Sequence, residues 1–339
     1  MRRPGRMRVW AYLAGLVLLG GCTSNRDAGA KYRIAVIPKG TSHLFWKSIH
    51  AGAVQAARER PGVEIVWDGP PKEDQRDRQQ QIVERYTSQG ITAIVLAPCD
   101  RQTLVAPVEA ALRKNIPVVI IDSGLELTDA IRASEKYLGY VATDNRQGGV
   151  KAAKRMIELM KDKNPAKVLM IRYQAGSEST EQREAGFRET IRTAANIQFS
   201  EAPDEAGATQ DSAQKVAERL LNDHKDLDGL FVPNESSAMG ALNALKLLKR
   251  TGQVKLVGFD ANPDLVQALE SNRLFGLVLQ DPFDMGYESV LRAVNFLEGK
   301  GAPKEKIKNT KLKILTKETM NDPAIKPLYD RDLTPYLGE

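Results

Sequence analysis

Short apolar runs rich in Val and Ile alternate with longer amphipathic stretches along the chain, and this alternation constrains the fold more than any other feature. Nine runs have strand character, among them Ile34–Pro38, Ala93–Ala97, Val118–Asp122, Gly229–Pro233, Lys255–Phe259 and Leu274–Gln280. Stretches of helical period follow or separate them at 44–60, 73–89, 102–114, 146–161, 178–194, 209–223, 235–250 and 283–298. Such a repeat predicts parallel sheets with helical crossovers. About 309 residues remain from Lys31 onward, enough for two α/β domains of ordinary size.

Parallel sheets bind ligands beyond the carboxyl ends of their strands, so polar residues that close an apolar run are the ones to inspect. Lys39 follows IAVIP, Asp122 closes IPVVIID, Asn234 follows GLFVP, Asp260 follows LVGF and Gln280 closes FGLVLQ. Each also has an ordinary structural role open to it. Asp260 and Asn234 can cap helices. Asp122 and Lys39 can be charged loop residues, and Arg183 lies in a charged stretch where a surface salt bridge is the usual outcome. Phe45 and Trp46 open a helix, where either can be core or cleft wall.

The N-terminus has the layout of an export signal: Arg2, Arg3, Arg6 and Arg8 precede an apolar run from Val9 to Leu19 that ends in Gly20-Gly21. At about 11 residues the run is too short to span a bilayer, which takes about 20 in a helix. Cys22 then follows small residues, in the pattern of a lipoprotein cleavage site, and acylation there would hold the protein at a membrane surface. Residues 22–30 read as a lipid-anchored tether and 1–21 as the signal segment. Loss of residues 1–21, with their four arginines, lowers the formal charge from +6 to +2, so the basic composition says little about partners.

Several classes find no support. No basic face interleaved with aromatics points to nucleic acid. The only other cysteine is Cys99, read as a small structural residue, so no disulfide framework is expected. His43 and His50 have no third ligand nearby, and neither metal nor cofactor is expected. There is no G-x-S-x-G, H-E-x-x-H or phosphate-binding glycine loop, so no enzyme is expected. The charged runs 72–81 and 304–313 read as solvated faces.

The stretches IAVIPKGTSHLFWKSIHAGA, ITAIVLAP, GYVATDNRQGG, STEQREAGF, FVPNESSAMGALNAL, LVGFDANPD and LVLQDPFDMGY span the chain from Ile34 in a recognisable order. In them the chain resembles the ribose and galactose type of periplasmic binding protein. The resemblance implies two Rossmann-like α/β lobes with parallel sheets, a three-segment hinge and a ligand cleft between the lobes. It implies a first lobe of 31–143 plus 281–309, a second of 144–280 plus 310–339, and chain crossings near Thr143-Asp144, Gln280-Asp281 and 309–311. Carried over residue by residue, ligand contacts fall on Asp122, Arg183, Asn234, Asp260 and Gln280, with Phe45 and Trp46 as an aromatic wall. Lys39, His43 and Ser123 stand where the ribose binder has other polar residues. The IPK run, WDGP and Asp122-Ser123 look more like the binder of the furanose autoinducer-2.

The function implied is capture of a sugar-like molecule outside the cytoplasm, by a monomer, for the permease of an ABC transporter. A sensor that presents its ligand to a chemoreceptor or kinase would use the same lobes. A repressor of related fold would need a helix-turn-helix ahead of Ile34, where this chain has a signal and a tether.

Overall fold

The computed structural model describes Met1 and residues 30–338. The rest of the signal segment, Cys22 and the tether up to residue 29 lie outside the described residues.

The first sheet contains β1 (Tyr32–Ile37), β2 (Val63–Trp67), β3 (Ala93–Leu96), β4 (Val118–Ile121), β5 (Tyr137–Ala142) and β11 (Ile307–Asn309), in the order β11-β5-β4-β3-β1-β2. All its pairings are parallel. The second contains β6 (Ala166–Arg172), β7 (Ile197–Glu205), β8 (Gly229–Phe231), β9 (Lys255–Phe259), β10 (Gly276–Leu279) and β12 (Lys313–Leu315), in the order β12-β10-β9-β8-β6-β7. Only β12 runs antiparallel to its neighbour.

Helices cover both faces of each sheet. Around the first lie α1 (Leu44–Arg58), α2 (Arg76–Ser88), α3 (Val105–Arg113), the short α4 (Asp129–Ala133) and, from far along the chain, α10 (Pro282–Leu297). Around the second lie α5 (Asn145–Leu159), α6 (Glu178–Ile191), α7 (Gln210–Asp223), α8 (Glu235–Leu247) and α9 (Pro263–Glu270). Successive strand side chains point to opposite faces. Ile34 and Val36 therefore pack with Ile49 of α1 and Val290 of α10. Ala35 and Ile37 pack with Ile82 of α2 and Val108 of α3. In the second lobe Val168 and Met170 meet α5 and α6, while Leu169 and Ile171 meet α7 and α8. Because both faces are buried, these strands read as continuous apolar runs.

The chain passes from one lobe to the other between β5 and α5, between β10 and α10, and between β11 and β12. β7 was not anticipated, because it is an edge strand with one fully buried residue in a largely polar sequence, IQFSEAPDE. The run 304–313 is largely exposed, as expected of a solvated face, and it also supplies β11 and the first residue of β12. One further correction concerns 310–339, expected in the second lobe. Ile325 and Tyr329 do pack on that lobe's core. Beyond them α11 (Thr334–Leu337) lies on α1 of the first lobe, where Arg58 donates to the carbonyls of Pro335 (2.5 Å) and Tyr336 (3.1 Å).

Candidate functional site

The carboxyl ends of the two sheets face each other, and the polar residues that close their strands meet there. Asp122 directly follows β4 and Asp260 directly follows β9; both have left-handed backbones, φ 59° and 63°. Asp tolerates that conformation better than most residues. The nine residues Lys39, His43, Phe45, Trp46, Asp122, Arg183, Asn234, Asp260 and Gln280 line one narrow cavity, together with Glu73, Ser179, Thr180 and Glu235.

Arg183 is the central cation. It is 3% exposed, so the structure must compensate its charge locally. Its Nε donates to Asn145 Oδ1 (2.8 Å) and its Nη1 to the Pro233 carbonyl (3.0 Å), while the guanidinium lies 4.0 Å above the Phe259 ring. Asp122 and Asp260 each approach it at 3.9 Å, from the first and second lobes respectively. Those separations are longer than direct hydrogen bonds, so the two acids balance the guanidinium by charge and keep oxygens that are not bonded to it.

Gln280 donates to Asp260 Oδ1 at 2.7 Å, but its own carbonyl oxygen is buried without a partner. That oxygen is an acceptor free for a ligand, since a buried polar atom left unpaired is costly. Asn234 combines two roles. Its Oδ1 caps α8 by accepting from the Ser237 amide (3.2 Å), and the residue still lines the cavity. Burial raises the Asp260 carboxyl to about 6, against the opposing pull of Arg183 and Gln280.

Lys39 donates to Asp122 Oδ2 (2.9 Å), Ser179 Oγ (2.8 Å) and Ser177 Oγ (3.4 Å). An ammonium has three donors, and the protein provides an acceptor for each. His43 pairs with a carboxylate. Its Nδ1 donates to Glu73 Oε1 at 3.0 Å, the same oxygen that accepts from Trp46 Nε1 at 2.8 Å. Burial opposes the imidazolium, but the Glu73 hydrogen bond and charge outweigh it and hold His43 at about 9. Burial likewise opposes the Glu73 carboxylate, and the His43 contact overrides it, to about 2. Trp46 is 2% exposed and largely core, whereas Phe45 is half-buried and offers the more open ring.

Glu73 corrects the reading of 72–81 as a solvated face, because it is 7% exposed while its neighbours Lys72 and Asp74 are exposed. Nothing in the local pattern distinguishes it from those neighbours. Glu235 was missed as well, although it adjoins Asn234 at the start of α8. It accepts from Asn262 Nδ2 at 3.0 Å. Cys99 is fully buried, and burial pushes its thiol up to about 12.

The comparisons agree with this geometry. Residues 34–301 match the family described as periplasmic binding protein domain. A D-ribose/D-allose-binding protein of Pseudomonas aeruginosa is 28% identical over 306 residues, 87% of this chain and 93% of that protein. The D-allose-binding periplasmic protein of Escherichia coli is 28% identical over 301 residues, 88% and 94% of the two chains. An ABC transporter solute binding protein from Agrobacterium vitis, solved with bound D-fucose, superposes with a TM-score of 0.81 and 31% identity, covering 88% of this chain and 99% of that one. With two such lobes closing on one polar cavity, and the family match running from β1 to the end of α10, this chain belongs to the periplasmic binding protein family.

Proposed function

We propose that the protein captures a sugar or sugar-like polyol in its cleft and delivers it to the permease of an ABC importer. The observation that carries this reading is the convergence of Asp122, Asp260 and Gln280 on Arg183. These groups accept from or donate to neighbouring hydroxyls in pairs, and the half-buried Phe45 ring suits the apolar C–H side of a sugar. The relatives support it by their ligands: ribose or allose, allose and fucose. In this reading the cleft binds and releases without making or breaking a bond. Cys22 would be the acylated first residue of the mature chain, which would place the protein on the outer side of a membrane.

The test is a thermal-shift screen of residues 31–339 against pentoses, hexoses, polyols and autoinducer-2. A ligand bound only by the folded state stabilises it by about 2.7 kcal/mol at a hundredfold excess over Kd. Sugars should dominate the hits. Amino acids or peptides in their place would overturn the reading.

A further inference from the structure

Two buried charges of the first lobe spend their hydrogen bonds across the cleft. Glu73 Oε2 accepts from the Tyr173 hydroxyl at 2.9 Å, while its other oxygen is taken by His43 and Trp46. Tyr173 belongs to the second lobe, just beyond β6; it is 1% exposed and does not line the cavity. Lys39 reaches Ser177 and Ser179 at the start of α6, its remaining donor held by Asp122. A ligand contact needs a free donor or acceptor; Lys39 has all three donors taken by protein, and Glu73 has three of its roughly four acceptor sites taken the same way.

We infer that Glu73 and Lys39 are interlobe latches: Glu73–Tyr173 and Lys39–Ser177/Ser179 hold the closed state, and the two charges act on affinity as positioning residues rather than by touching the ligand. The inference rests on the cleft being the ligand site. Opening the lobes would expose both charges to water and break a charge-assisted hydrogen bond at each, so the latches favour closure by their differential contacts in the two states. Their removal should weaken every ligand alike, because no ligand atom is involved.

Three backbone amides report closure without any ligand. Arg101 N donates to the Gly176 carbonyl (2.9 Å), Gly124 N to Glu178 Oε2 (2.9 Å) and Ser179 N to Ser123 Oγ (3.1 Å), each across the cleft. Hydrogen exchange at these amides in the ligand-free protein should be roughly tenfold faster in Tyr173→Phe and in Lys39→Met than in the wild type. Exchange at Ile94 N, bonded within the first lobe to the Pro117 carbonyl, should be unchanged and so controls for folding. Glu73→Gln, which keeps the shape, should fall between. Equal exchange at the three amides in wild type and variants would overturn the proposal, and so would a rise shared equally by Ile94. Because no sugar is present, failure of the sugar reading would leave this result intact.

Discussion

Gly149 of α5 and Gly186 of α6 are reciprocal: a Cβ on Gly149 would stand 1.9 Å from the Arg183 carbonyl, and one on Gly186 would stand 2.1 Å from the Arg146 carbonyl. Each helix thus rests its backbone in the gap left by the other's missing side chain. This contact sets Arg183 on α6 against Asn145 at the start of α5.

Gly186→Ala should therefore cost stability through overpacking, by about 1–3 kcal/mol. It should also weaken ligand binding, because Arg183 moves with the helix. Urea unfolding and calorimetry on the same variant check both effects. A variant of wild-type stability and affinity would show that the helices separate freely.

Asp260→Asn keeps the side-chain shape and the tolerance of a left-handed backbone while removing the charge. Affinity should fall by roughly tenfold, the worth of a hydrogen bond to a charged group. Asp77→Asn, on the exposed side of α2, should leave it unchanged. The pH profile carries the same signature. With the carboxyl raised to about 6, wild-type binding should be full at neutral pH and fall as the pH drops through 6, whereas Asp260→Asn should lack that limb. The raised value means that the folded state takes up this proton more readily than the unfolded chain. Stability from this group therefore rises, not falls, over that range, and lost binding there is not unfolding.

His43 gives the opposite limb. Its folded value of about 9 lies above the ordinary 6.5. The stabilisation it brings is fully present below pH 6.5 and is lost as the pH rises through 9. Melting temperatures measured from neutral to alkaline pH should fall across that window in the wild type. His43→Gln should start lower and fall less. Parallel curves would remove His43 as the source.

Cys22→Ser should release the protein from the membrane fraction or leave it uncleaved, since acylation needs the thiol. Mass spectrometry of the native mature protein that finds an unmodified Cys22 would overturn the anchor.

The strands and helices around the site were legible because each is buried on a full face, which leaves an apolar run or a helical period. Asp122, Asp260 and Gln280 were legible for a related reason, as polar residues that end such runs. Arg183 was not, on its residues alone: within EQREAG it is indistinguishable from a surface arginine, and only the family resemblance brought it in. Glu73 escaped both routes, since it sits among exposed charges and its partners His43, Trp46 and Tyr173 come from distant parts of the chain. β7 and β11 escaped because edge strands bury too little to leave an apolar signature.

The return of α10 to the first lobe sets the order in which the molecule can mature on the ribosome. The first five strands of that lobe have all been translated by Ala142, yet Ile34, Val36, Val95, Val119 and Ile121 are covered by Met285, Val290, Ala293 and Val294. About two-fifths of the polypeptide must be made between the face and its cover. A nascent chain therefore carries an apolar sheet face that a chaperone can hold, and neither lobe can commit to its final form until the last sixty or so residues have been translated.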